Sequence, residues 1–186
     1  RRAGCDVTEL GPVGTPAEAT AAGRQAAADG LHAIALAPVS WFEDYLVLDL
    51  IEEWPAPLLF WPLPGMETGA LCGAQQAACY LRQLGHPFAA VFGEMRDRSC
   101  LAEALVFLRA AALKARLRRA RIGQAGQRVG GMTHTSPNEF ALKKVMGPRV
   151  VPLDLPSLLE RAAALPEGKV KTLWQKTRAR AGRCDV

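Results

Sequence analysis

The chain has 186 residues, 49% of them hydrophobic and 22% charged, with a formal net charge of +5; that is the make-up of one ordinary globular domain, or one and a half. Its apolar runs fall short of the roughly 18 residues a membrane helix needs, the strongest, Ala56 to Leu63, being broken by prolines, and the first residues do not read as a signal peptide. The basic residues gather from Lys114 to Arg121 and from Lys169 to Arg183 without the interleaved aromatics or motif that a nucleic acid would ask for; they read as solvated helix faces, so neither nucleic acid nor membrane is expected as a partner.

The elements follow in order. Arg1 to Gly4 reads as the end of a helix that begins upstream, and Cys5 to Leu10 as a short strand. Thr15-Pro16-Ala17-Glu18 carries an N-cap, a proline in the first turn and a glutamate three residues past the cap, which opens a helix running to Asp29-Gly30. His32 to Ala37 is a continuous apolar run of strand length, the pattern of a parallel strand buried on both faces. Ser40-Trp41-Phe42-Glu43 looks like a second capping box, opening a helix to Trp54. Leu58 to Trp61 is the next strand. Gly69 to Leu84 is a helix with Leu71, Ala74, Ala78 and Leu81 on one face, stopped by Gly85. Phe88 to Phe92 is a strand, and a helix from Ser99 to Arg119 follows.

From residue 120 the series restarts. Arg121-Ile122-Gly123 is a strand, then comes a glycine loop (Gly126, Gly130, Gly131). A capped helix begins at Thr135-Ser136-Pro137-Asn138-Glu139 and stops at Gly147, and Val150 to Leu153 is a strand: one β-loop-α-β unit. The expected organisation is therefore a first α/β domain over residues 1–119, N-terminally truncated, and the beginning of a second, Rossmann-like α/β domain over residues 120–186. Counting strand-helix repeats makes the first a flavodoxin-like, doubly wound parallel sheet of order 2-1-3-4-5 with its first strand missing. A sheet without its middle strand leaves unpaired backbone and bare apolar surface, so these 186 residues alone are expected to be aggregated or molten.

Five cysteines, an odd number with no CxxC pair, read as free thiols of a reducing cytoplasm; Cys72 and Cys79, on one helical face, suit packing. The three histidines, His32, His86 and His134, lack metal-ligand spacing. Gly65, Gly69 and Gly73 do not make a dinucleotide fingerprint, and no phosphate loop, nucleophile elbow or HExxH occurs. In doubly wound sheets ligands sit beyond the carboxyl ends of the strands, here Pro38 to Trp41, Pro62 to Thr68 and Gly93 to Asp97. Trp41 stands out there, either as a plate against a sugar ring or as a residue packed under a loop.

The loop Gly126-Gln127-Arg128-Val129-Gly130-Gly131-Met132, the helix with Glu139-Phe140 and the strand Val150-Val151-Pro152-Leu153 together resemble the L-fucose isomerase and L-arabinose isomerase superfamily. The upstream order agrees: Trp41, the proline-flanked strand Leu58 to Trp61, the glycine-entered helix Gly69 to Leu84 and Pro87 to Gly93. The resemblance implies the N-terminal portion of a cytoplasmic aldose–ketose isomerase working through an enediol with a divalent metal, usually manganese, whose ligands lie outside this chain; no catalytic residue can be named within it. It implies a hexamer in which the first domain reaches over a neighbour's active site. It also implies that Trp41 touches the monosaccharide, with Arg128, Gly131 and Met132 lining the crevice. The residues around Trp41, Ser-Trp-Phe-Glu-Asp-Tyr, depart from the bacterial L-fucose isomerase pattern, which leaves the sugar open. A sugar isomerase, a non-catalytic sugar-binding or regulatory α/β module and an inactive relative kept for assembly are the three readings.

Overall fold

The computed structural model describes residues 4–65 and 67–181. The chain divides into two compact units, one up to Arg116 and one from Leu117 on. Both are mixed α/β with short parallel sheets, consistent with a Rossmann-like fold.

In the first unit, α1 (Pro16–Ala28) is followed by β1 (Ile34–Leu36), α2 (Tyr45–Glu53), β2 (Leu58–Phe60), α3 (Ala70–Leu84), β3 (Phe88–Ala90) and α4 (Arg98–Arg119), whose end from Leu117 on belongs to the second unit. The strands are parallel in the order β1-β2-β3, with Ile34 opposite Leu58 and Leu58 opposite Phe88. Side chains alternate across a strand, and β2 shows what that does here. Leu58 and Phe60 pack in one cluster with Ala19, Ala22 and Ala26 of α1, Leu46, Val47 and Leu50 of α2, and Ala74, Ala77 and Leu81 of α3. Leu59, pointing the other way, packs with Val91, Ala104, Phe107 and Leu108. Helices thus cover both faces of β2, which is flanked on both edges and wholly buried.

The expectation of a strand buried on both faces fits Leu58–Phe60 and not the run from His32 to Ala37. There only Ile34–Leu36 is strand, Ala35 is exposed and Leu36 half-buried. Among the described residues β1 pairs with β2 alone, and Ala35, on the side away from buried Ile34, is exposed, so apolar composition does not translate into burial. Cys5 to Leu10 is likewise not a strand. Asp6, Val7 and Glu9 are solvent-exposed there, while Leu10 packs against the main cluster without a neighbouring strand to complete a ladder.

The caps are mostly as the sequence writes them. Thr15 Oγ1 accepts from the Glu18 N–H at 3.3 Å, and Glu18 reaches back to the Gly14 N–H at 2.9 Å, which holds its carboxyl below the ordinary carboxylate range. Gly85, with φ +67°, closes α3 in the left-handed region that suits glycine. Ser40 is the exception. Its hydroxyl donates to the Trp41 carbonyl, the Trp41 N–H is taken by Thr68 O at 2.8 Å, and α2 starts only at Tyr45. The Ser40 hydroxyl thus bonds as a donor to a carbonyl, whereas a cap would have it accept from an N–H two or three residues on. Cys72 and Cys79 also differ from expectation: both are exposed, because the buried stripe of α3 is Ala70, Gly73, Ala74, Ala77 and Leu81. Cys184 lies outside the described residues.

One close approach sets the α1–α2 packing. A Cβ on Gly23 would lie 2.6 Å from the Leu50 carbonyl oxygen and 2.8 Å from Glu53 Cβ. Gly23→Ala gains up to about 1 kcal/mol of helix propensity, but overpacking against a backbone atom costs roughly 1–3 kcal/mol. The clash is expected to win, lowering the thermal midpoint; a raised midpoint in the variant would contradict this packing.

In the second unit, β4 (Arg121–Ala125) and β5 (Arg149–Leu153) pair in parallel, with Ile122 opposite Val150. Between them lie a 3-10 turn, Thr133–Thr135, and α5 (Glu139–Val145); α6 (Leu155–Ala163) and α7 (Glu167–Arg180) follow. Thr135 sits in the 3-10 turn, and the residue that caps α5 is Asn138, whose side chain accepts from the Ala141 N–H at 2.9 Å. Gly147 (φ +98°) donates its N–H to Leu142 O, and a Cβ on it would meet the Arg118 backbone at 2.8 Å; the sequence stop is also a packing point. The cations Lys114, Arg116, Arg118 and Arg119, and those of α7, are exposed.

Candidate functional site

The carboxyl ends of β1, β2 and β3 carry three loops, residues 37–44, 61–69 and 91–97, and backbone bonds tie them together. Trp61 N–H donates to Leu36 O (2.8 Å), Leu63 N–H to Pro38 O (2.9 Å) and Val91 N–H to Phe60 O (2.9 Å). The Trp61 indole adds a bond to Gly93 O at 3.0 Å. The loops are therefore extensions of the sheet rather than free coil. Val39, Trp41, Phe92 and Met95 stand exposed on them, among the exposed polar residues Ser40, Glu67, Thr68, Glu94 and Arg96.

Trp41 is 49% exposed, so about half of its surface is open to solvent. It is nonetheless held at two points: its N–H by Thr68 O at 2.8 Å, and its indole N–H by Gln76 Oε1 at 3.3 Å. Gly69, in the left-handed region at φ +67°, lets the chain pass beside it; a Cβ there would sit 3.1 Å from Trp41 Cβ. Behind it, Gly73 gives room to the Phe42 ring, which a Cβ would meet at 2.9 Å, and Phe42 packs against the main core. A half-exposed indole held by fixed bonds is a ready apolar face with a polar edge, suited to the flat side of a ring whose hydroxyls point outward.

The other sequence-derived candidates fall in the second unit. Arg128 donates to Thr133 Oγ1 at 3.3 Å. Gly131 adopts φ +83° with nothing within 4 Å of a Cβ position. Met132 is 45% exposed, and its carbonyl accepts from Thr135 Oγ1 at 2.7 Å. The loop folds on itself through these bonds. The partners that fix Trp41, namely Thr68, Gln76 and behind it Asp44, carry no signal in the sequence: polar residues 27, 35 and 3 positions away from Trp41 have no periodic relation to it.

Asp97, on the third loop, accepts from the Ser99 N–H at 2.8 Å and from its hydroxyl at 2.9 Å. The backbone bond first, then the hydroxyl, holds its carboxyl below the ordinary range. A depressed folded value means stability that is present above the unfolded carboxylate pKa and lost as pH falls through the folded one. Asp97→Ala is therefore expected to lower the thermal midpoint at neutral pH and to converge with wild type in strong acid; an equal deficit at every pH would contradict it.

Among the described residues no group of three or more His, Cys, Asp or Glu gathers so as to hold a metal ion, and no helix is long and apolar enough to cross a membrane.

The fold and this edge define an α/β protein of Rossmann-like build with an aromatic face at the carboxyl ends of its strands. No family model matches the chain. Over 135 residues, 69% of the chain, it is 24% identical to the sulfoquinovose isomerases of Priestia aryabhattai and Priestia megaterium (strain ATCC 12872 / QMB1551). The matched part is 30% of each relative's length, so the chain spans well under half of the proteins it resembles. The similarity is a distant one, to a sugar isomerase.

Proposed function

We propose that the protein carrying this chain interconverts an aldose and a ketose, and that this chain supplies part of the wall that holds the sugar, with Trp41 as its stacking face. The observation that carries the reading is the held, half-exposed indole of Trp41 at the carboxyl edge of a parallel sheet, where such sheets bind ligands. The distant similarity to sulfoquinovose isomerase supports the reaction class. The finer resemblance to the L-fucose and L-arabinose isomerases adds a homo-oligomer, a hexamer, and manganese. Among the described residues no group of three or more His, Cys, Asp or Glu could hold a metal ion; the proposal puts the metal's ligands outside this chain. What these residues do is orient: the indole covers the apolar face of the ring, and the exposed carboxylates of Glu67 and Glu94 on the rim are left for sugar hydroxyls. For the second unit, taken by itself, Arg128, Gly131 and Met132 are proposed to line a crevice.

The test is incubation of the full-length protein, with manganese added, against L-fucose, L-arabinose and sulfoquinovose, following ketose formation by NMR. Appearance of a ketose supports the proposal. Saturable sugar binding without turnover would replace it with a non-catalytic sugar-binding module, and neither binding nor turnover would remove the sugar reading altogether.

A further inference from the structure

We propose that Gln76 is a positioning residue that sets the plane of the Trp41 indole for the sugar; the inference rests on the sugar-binding reading of Trp41 and names what makes that face rigid.

The backbone bond from Trp41 N–H to Thr68 O fixes the main chain but leaves the ring free to turn about its two side-chain torsions. The indole bond to Gln76 Oε1 at 3.3 Å is what restrains that rotation. An amide can flip, and then it would offer the indole a second donor; its orientation has to come from elsewhere. Asp44 supplies it. A carboxylate accepts only, and Gln76 Nε2 donates to Asp44 Oδ2 at 3.1 Å, which turns Oε1 toward Trp41. Asp44 occupies the residue before α2, where an aspartate ordinarily caps its own helix, yet its side chain makes no cap bond. The carboxylate is engaged by Gln76 instead.

Asp44 is in turn held from behind. The Tyr80 hydroxyl donates to the Asp44 carbonyl at 2.8 Å. Burial first, and the Asp44 charge second, push the phenol far above its ordinary value, so it keeps the proton it donates. Gln76 and Tyr80 are four residues apart on α3 and project from one face of that helix. One rigid helix therefore grips the loop before α2 through two side chains, and the Gln76 grip ends on the indole. Exposed hydrogen bonds of this kind contribute little to folding, which separates the role from a structural one.

In the full-length protein, Gln76→Leu is expected to leave the thermal midpoint and kcat nearly unchanged and to raise KM about 2- to 10-fold, the effect of freeing one side chain that binding must then freeze again. The aldose is whichever of L-fucose, L-arabinose and sulfoquinovose is turned over or, failing turnover, binds on titration. Because the role runs through Trp41, the same substitution on a Trp41→Ala background is expected to change nothing further. With 5-fluorotryptophan incorporated, and the Trp41 line assigned by Trp41→Phe, Gln76→Leu is expected to shift or broaden that line. An unchanged KM in Gln76→Leu beside a raised one in Trp41→Ala would overturn the positioning role and leave Trp41 standing. An equal loss on the Trp41→Ala background would mean that Gln76 touches the sugar itself, which also overturns it. If Trp41→Ala leaves sugar binding intact, the sugar reading fails, and an unmoved fluorine line would then sink the brace as well.

Discussion

Trp41→Ala in the full-length protein is expected to lower kcat/KM for its aldose about thirty-fold, the loss of an aromatic anchor worth roughly 2 kcal/mol, with a thermal midpoint within about 1–2 °C of wild type. The two halves of that result come from one geometry. Trp41 is 49% exposed, so deleting its ring leaves a site open to solvent, and Thr68 O bonds its main-chain N–H, which alanine retains. A substituted protein that loses its fold instead would show that Trp41 is a packing residue. Steady-state kinetics and a melting curve on the same preparation separate the outcomes.

The second large effect lies under the site. Phe60→Ala is expected to destabilise the first unit by about 3–5 kcal/mol, seen as a thermal midpoint lowered by about 10 °C. Phe60 is fully buried on the central strand and meets the Phe88 ring edge-on, with centroids 6.4 Å apart at 76°, an arrangement that adds to the simple burial. Its backbone carbonyl accepts from Val91 N–H at 2.9 Å, at the point where β2 hands over to the candidate edge. Phe60 shares its cluster with Leu46, Val47 and Leu50 of α2, the helix that Asp44 precedes, and with Ala74, Ala77 and Leu81 of α3, which carries Gln76, so sugar affinity should fall along with stability. A shift of only a degree or two would mean that Phe60 is not the centre of this core.

Much of the fold can be read along the chain because its signals are local. The Thr15–Glu18 box, the Gly85 and Gly147 stops and the short apolar runs at Ile34, Leu58 and Phe88 all mark elements in the structure. The expectations that missed depend on what lies opposite. Ser40 reads as a cap, but Thr68 O holds the Trp41 main chain, the Ser40 hydroxyl donates to a carbonyl and α2 starts only at Tyr45. Cys5 to Leu10 reads as a strand, but a strand needs an edge to pair with. α3 is rich in small residues, so its apolar stripe is spread round the helix and periodicity alone does not say that Cys72 and Cys79 face outward. The site divides the same way. Trp41 is found by its position after an apolar strand, whereas Gln76 and Asp44 matter through bonds spanning 35 and 32 residues, which no spacing rule reaches.

The claim that a sugar is held at this edge is tested most directly by titrating the full-length protein, carrying 5-fluorotryptophan, with the aldose and following the Trp41 line. The account expects a saturable shift of Trp41 at the concentrations that saturate turnover, with Trp54, inside the fold and bonded to Leu31 O, unmoved. Saturating turnover with a stationary Trp41 line would contradict it.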